Sequence, residues 1–155
     1  MLKIMVSQWD KNKDELRKVL AERTDLNSCK YIDLVKTTFE VIYNNGLDEY
    51  SFDLLNLNDI HEIDDGDYWG TLLYLIPFKV YQPCEYEYLM TYVGYGSCSG
   101  CDTLQSIQGY EDEKLTDRQV DDFMTLCKDI LTNTIKPFNG GWRNKEVFEH
   151  TEEEK

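Results

Sequence analysis

The sequence predicts an α+β domain made of an N-terminal helical hairpin, a three-stranded antiparallel sheet and a long C-terminal helix packed on that sheet. Three observations predict it. Apolar residues recur at helical spacing up to residue 46, at alternating spacing between 58 and 95, and at helical spacing again from 116 to 137. The connections within the middle stretch are short, so the strands run antiparallel; a parallel return needs a crossover helix of about a dozen residues.

The first helix is expected at about 12–24, "NKDELRKVLAERT", with Leu16, Val19, Leu20 and Arg23 forming a narrow stripe that ends in charge. A second runs from about Ser28 to Asn44 on Ile32, Val35, Phe39 and Ile42, and "NNG" at 44–46 supplies its left-handed stop. The two form a hairpin joined at "TDLNS". From Asp59 the period changes: "DIHEI", "DDGDYWG" and "TLLYLIPF" read as strand, turn and strand, with Asp65-Gly66 taking the left-handed turn positions. Pro77 and Pro83 mark a loop, and in "YEYLMTYVGY" Tyr88, Met90 and Tyr92 alternate with Leu89, Thr91 and Val93 as a third strand. A short helix follows at about 101–108. The last helix opens on "TDRQ", which has the Thr-x-x-Gln form of a capping box, and keeps its spacing through Val120, Phe123, Met124, Cys127, Ile130, Leu131 and Thr134. Residues 1–137 are thus expected as a single globular domain and 138–155, with a double Gly and a glutamate-rich end, as a loosely packed or disordered tail.

Composition narrows the function. The chain has 155 residues, 41% of them hydrophobic, without an apolar run approaching the roughly 18 to 20 residues that span a bilayer. The opening "MLKIMVSQWDKNKDE" lacks the pattern of a signal peptide, and five cysteines without regular spacing fit a reducing compartment, so a soluble cytoplasmic protein is expected. The net charge of −14 resides in the middle: residues 47–135 carry 4 Lys/Arg against 18 Asp/Glu. Such a field repels nucleic acid and membranes, so neither is expected as a direct partner, and it favours a basic protein. No Ser-His-Asp order, P-loop or nucleotide-binding glycine fingerprint is present, and the chain reads as a binding protein before an enzyme.

Two segments carry the candidate chemistry. "TYVGYGSCSGCDTLQSIQ" places Cys98 and Cys101 between a strand and a helix. At a helix start a thiolate is stabilised by the dipole and a second thiol resolves a mixed disulfide, but the Trp and Pro of a thioredoxin-type motif are missing. A structural zinc needs two more ligands, for which His61 and Cys84 are the candidates, with Cys29 or an acidic residue of "DDGD" behind them. The third reading is a tight turn of small residues in which Ser97 or Ser99 caps the following helix. An anion held by free N–H groups of that turn is opposed by the acidic surroundings. "HEIDDGD" clusters His61 with carboxylates, but lacks the ligand ladder of a calcium loop and reads as a solvated hairpin turn. The eleven tyrosines either fill the sheet or, among the carboxylates, present an aromatic patch. Cys127 lies on an apolar stripe and is expected in the core.

At "IDDGDYWGTLLYLIP" and "YQPCEYEYLMTYVGYGSCSGCDTLQSIQ" the chain resembles a group of small uncharacterised proteins of bacteriophages and prophages of low-GC Gram-positive bacteria. The likeness spans roughly residues 58–110, with a weaker echo in "QVDDFMTL", and the chain departs from the pattern at Trp69 and Cys84. The resemblance implies a phage origin, a host-cell location and no known activity. Together with the charge it gives the expectation of an acidic protein that binds and modulates a basic host protein, a nucleic-acid-binding one included, as an inhibitor that stands in for DNA. Asp64, Asp65, Asp67, Tyr68, Trp69, Glu85 and Glu87 are the expected partner-binding residues. No cofactor is expected on this reading. The alternative is a zinc-binding module or thiol redox protein centred on the C-x-x-C, with Cys98, Cys101, His61 and Cys84 as the metal ligands.

Overall fold

The structure, a computed structural model, describes residues 2–47, 54–66, 70–84, 87–97, 102–110 and 113–135, with residues 2–4 by backbone only. The expected tail, 138–155, lies outside the described residues. The architecture is α+β, with helices at both ends of the described chain and a three-stranded antiparallel sheet between them.

Helix α1 spans Leu2–Glu22 and starts ten residues before its expected position. Its buried stripe is Met5, Leu16 and Leu20, with Trp9 packed against the same core. Asn12 falls on that stripe, so the apolar pattern is broken where the helix is not. The Asn12 amide instead donates to the Ile42 carbonyl at 2.9 Å, and Gln8 Nε2 donates to the Tyr43 carbonyl at 3.2 Å. The second helix is in two parts: α2 at Tyr31–Thr38, then a wider π-helical stretch at Phe39–Asn44. Thr37 and Thr38 bond back to the Asp33 and Leu34 carbonyls at 2.9 and 2.6 Å, a competition with the backbone ladder that loosens the next turn. The carbonyls at the end of the wide turn are those that Gln8 and Asn12 satisfy. Gly46, at φ +88°, ends the segment in the left-handed conformation that "NNG" predicts. Contacts of Gln8 and Asn12 with the end of this segment, and of Arg23 with Thr37 at 2.6 Å, make the hairpin antiparallel.

Strands β1 (His61–Asp64), β2 (Gly70–Pro77) and β3 (Tyr88–Tyr95) pair in sequence order. The register sets Leu72, Tyr74 and Ile76 opposite Val93, Thr91 and Leu89 on the inner face. Leu89, Thr91 and Val93 are buried and Tyr92 is exposed, so the alternation read from "YEYLMTYVGY" holds. The turn between β1 and β2 differs in its mechanics. Among the described non-glycine residues positive φ falls at Gln82, not Asp65. The turn needs glycine at 70 instead, where a Cβ would come within 2.8 Å of Gly66 Cα and 2.9 Å of the Asp65 carbonyl oxygen.

Two single-residue bridges extend the sheet. Leu55 pairs with Phe78, and the Asn44 side chain clamps Leu55 from the other side, accepting from its N–H at 2.9 Å and donating to its carbonyl at 3.0 Å. Ile135 exchanges two backbone hydrogen bonds of 2.8 Å with Met90.

Helix α3 is Thr103–Ile107, and α4 is Asp117–Thr132. The capping box of α4 is present: Thr116 Oγ1 accepts from the Gln119 N–H at 3.1 Å, and Gln119 Oε1 accepts from the Thr116 N–H at 3.0 Å. Helix α4 packs on β3, where Thr91 Oγ1 donates to the Ile130 carbonyl at 2.7 Å, and its buried Val120, Phe123, Cys127, Ile130 and Leu131 join the core shared with α1 and α2. That core holds the fold: each fully buried Leu, Ile or Phe contributes about 1.5–3 kcal/mol, whereas an exposed pair such as Arg17–Asp121 contributes about 1 kcal/mol at most.

Tyr74 is the exception within the core. Its hydroxyl is buried without a hydrogen-bond partner of acceptable geometry among the described residues. Burial pushes its pKa far above the ordinary tyrosine range, and Glu62, opposite it in register, adds to the push without a well-formed bond. Tyr74→Phe is therefore expected to leave stability unchanged or raise it by about 1 kcal/mol, because the orphan hydroxyl is removed and the ring kept. Urea midpoints of the two proteins measure this, and a loss above about 1 kcal/mol would show that the hydroxyl is satisfied.

Candidate binding surface and the anchored cysteine loop

Strand β1 is exposed along its whole length. Glu62 and Asp64 stand opposite Tyr74 and Leu72, so register assigns them to the inner face, but they reach beyond the part that the helices bury. Asp64 also holds the hairpin: its Oδ1 accepts from the Gly66 N–H at 3.1 Å and from the Tyr95 hydroxyl. The Asp65 N–H donates to the Thr71 carbonyl at 3.0 Å. Glu87 closes the loop at the other end of the sheet. Its Oε1 accepts from the Cys84 N–H at 3.2 Å, its N–H donates to the Cys84 carbonyl at 2.9 Å, and its carbonyl accepts from the Phe78 N–H at 2.9 Å.

The expected partner-binding residues thus fall into two groups. Asp64, opposite Leu72, and Glu87, beside Phe78, are separated by six residues of strand, about 20 Å. Asp67, Tyr68, Trp69 and Glu85 lie outside the described residues. The electrostatics of the two halves differ. Ion pairs among the described residues join Lys13 to Asp10, Arg17 to Asp121 and Arg23 to Asp25, all anchored in or just after α1. The carboxylates of the sheet have no such partner among the described residues, and Lys79 is the only cation between residues 47 and 113.

Cys98 and Cys101 lie outside the described residues, but the residues that bracket them are well defined. Asp102 is buried at 4% exposure, and its side chain accepts three hydrogen bonds from described residues. Oδ1 takes the Gly96 N–H at 2.9 Å and the Tyr31 hydroxyl at 3.1 Å, and Oδ2 takes the Gln105 N–H at 2.9 Å. The Tyr31 oxygen in turn accepts from the Leu104 N–H at 3.0 Å. Asp102 is therefore the N-cap of α3, in place of the expected Ser97 or Ser99, and the same side chain ties the end of β3 to the start of the helix. Tyr31 reaches this node from the first turn of α2, where Asp33 accepts the Lys30 N–H at 2.9 Å. Burial, first of all, pushes the Tyr31 hydroxyl up to about 12.

The other two metal candidates sit elsewhere. His61 pairs with Leu75, which pairs with Met90, and its ring lies 6.4 Å from that of Tyr88; Cys84 is exposed in the loop closed by Glu87. Both belong to the Pro77–Tyr88 end of the sheet, whereas Gly96 and Asp102 are at the Gly70–Tyr95 end. Among the described residues no group of three or more His, Cys, Asp or Glu is arranged to hold a metal ion. Cys29 and Cys127 are buried free thiols, and burial is the main cause that raises them, to about 11 and about 12. Cys127 is in the core as its stripe predicts.

A second buried node escaped sequence reasoning. The Asn27 amide donates to the carbonyls of Tyr110 and Glu113 at 2.9 and 3.1 Å, and its Oδ1 accepts from the Gly109 N–H at 2.9 Å and Gln119 Nε2 at 3.1 Å. Gln108 Nε2 donates to the Leu26 and Cys29 carbonyls at 2.9 Å each. The short 3₁₀ turn at Leu26–Ser28 and the charged loop after α3 are thereby fixed to each other. The only advance signal for Asp102 was the Asp-x-x-Gln spacing of Asp102 and Gln105; Asn27 gave none.

Fold and surface define a small acidic α+β protein with an exposed carboxylate-bearing edge strand, whose described buried polar clusters serve to fasten loops. No helix among the described residues is long and apolar enough to cross a membrane. No protein-family model, curated protein or solved structure matches the chain.

Proposed function

We propose that the chain is a phage-encoded acidic binding protein that engages a basic host protein in the host cytoplasm and modulates it. The observation that carries this reading is the division of charge: among the described residues the ion pairs are confined to the helical part, and the carboxylates of the exposed hairpin have none. Unpaired charge on an exposed surface accelerates and orients the approach of a partner of opposite sign. The phage resemblance of residues 58–110 supports a host target, and a nucleic-acid-binding protein is the basic partner whose site an acidic surface occupies best.

The test is capture from a host lysate on the immobilised protein at about 50 mM and about 1 M salt, where the screening length falls from more than 10 Å to about 3 Å. A specific basic protein retained at the lower salt and released at the higher is the expected result, with DNA competing for it. Recovery of no specific protein at low salt would end the proposal.

A further inference from the structure

We infer that β1 is a strand-addition site, and that its occupant is an extended segment of a basic partner in which cationic and apolar residues alternate. The inference rests on the acidic-binding reading above and names the surface and the form of the contact.

Three observations carry it. First, the free side of β1 has no neighbouring strand among the described residues. The Asp65 N–H to Thr71 carbonyl bond fixes the parity of the hairpin, so His61 and Ile63 turn their backbone groups to β2 while Glu62 and Asp64 turn theirs outward. Those outward N–H and C=O groups have no partner among the described residues. The far edge of β3 is partly occupied, since Ile135 pairs with Met90 and Asn133 Nδ2 donates to the Tyr92 carbonyl at 3.2 Å, and Asn44 caps Leu55 beyond β2.

Second, the side chains of this edge select its occupant. An antiparallel pairing of two copies centred on Ile63 would set Glu62 of each against Asp64 of the other, and like charges directly opposite are destabilising. Lysine or arginine at those two positions reverses the sign. The two bonds that Asp64 accepts from described residues, from Gly66 in the turn and Tyr95 on β3, both fall on Oδ1, and among the described residues Oδ2 is left to the incoming cation.

Third, the face opposite the helices continues as an apolar floor. Ile63, 49% exposed, is in one cross-strand row with Leu73 and Tyr92, the last 44% exposed. An added strand with its cations toward Glu62 and Asp64 necessarily turns its alternate residues onto this face, beside Ile63.

The experiment uses the full chain and a short synthetic peptide of alternating valine and lysine. Three controls accompany it: the valine–glutamate counterpart, a copy N-methylated on alternate residues along its hydrogen-bonding edge, and the Glu62→Lys variant of the protein. The valine–lysine peptide is expected to bind saturably at low salt and to slow amide exchange of Glu62 and Asp64 about tenfold or more. The glutamate peptide should not bind, the N-methylated one should bind at least about tenfold more weakly, and Glu62→Lys should weaken binding about tenfold with an unchanged melting temperature. Equal binding of the N-methylated peptide, or binding without slowed exchange at Glu62 and Asp64, overturns strand addition and leaves the acidic-binding reading standing. Absence of binding overturns strand addition as well, and the reading itself falls only with the lysate capture.

Discussion

Asp102→Ala is expected to destabilise the protein by about 3–4 kcal/mol, which for a chain of this length lowers the melting temperature by about 10 °C. Three donors lose their acceptor at once. Those of Gly96 and Tyr31 are buried, and only that of Gln105 lies where water can replace the carboxyl oxygen. A buried donor left unpaired costs about 1–3 kcal/mol, and loss of an N-cap adds about 1. Asp102→Asn keeps a capping oxygen and the shape, and should cost less than half as much. Tyr31→Phe, which orphans the Leu104 N–H, should cost about 1–2 kcal/mol, and the double variant should cost clearly less than the sum because the two groups share one network. Chemical denaturation gives these values, and amide exchange at Gly96 and Leu104 should accelerate together. An Asp102→Ala protein within about 1 kcal/mol of the parent would mean that the node does not hold the ends of the cysteine loop.

Elements that depend on side chains at fixed sequence offsets were readable in advance, and those that depend on distant groups were not. The box at Thr116 and Gln119, the stop at Gly46 and the alternation of β3 are local, and each stands where its spacing puts it. The first turns of α1 were hidden because Asn12 and Gln8 face a neighbour's carbonyls, so polar residues occupy part of the contact surface. The π-helical widening has no periodic signature. The bridges Leu55–Phe78 and Met90–Ile135 are single residues wide, too short for an alternating pattern. At the candidate site the local rule pointed to Ser97 or Ser99; Asp102 is as good an N-cap residue, and Tyr31, 71 positions away, joins it in the buried node. The same limit applies to Asn27, whose four partners lie 82 to 92 positions away. The acidic excess was legible as composition, while its division, among the described residues, into a paired helical half and a sheet without ion pairs required the ion pairs themselves.

Stability should fall steeply in alkali, from about pH 9 upward. Four neutral acids are held protonated in the folded state, each chiefly by burial: Cys29 rises from 9.0 to about 11, Cys127 from 9.0 to about 12, Tyr31 from 10.0 to about 12, and Tyr74 further. Secondary influences differ among them. Asp33 adds to the rise at Cys29 while Arg23 opposes it, and the Thr38 hydroxyl opposes the rise at Cys127. In all four the folded pKa lies above the unfolded one, so the stabilisation is complete below pH 9 and is lost as the pH climbs toward the folded values. Above that point the unfolded chain releases protons that the folded chain retains, and each such group lowers the unfolding free energy by about 1.4 kcal/mol per pH unit. Between pH 10 and 11 the two thiols together contribute about 2–3 kcal/mol per unit, an amount comparable to a sizeable part of a domain's whole stability. Guanidinium midpoints measured from pH 7 to 11 under reducing conditions should therefore stay level and then decline. In Cys127→Ala, which removes one titrating group and a small buried volume, the midpoint should be lower at pH 7 but the decline shallower by about one proton. An unaltered slope in that variant, or a level midpoint through pH 11, would mean that these thiols and phenols reach water in the folded protein.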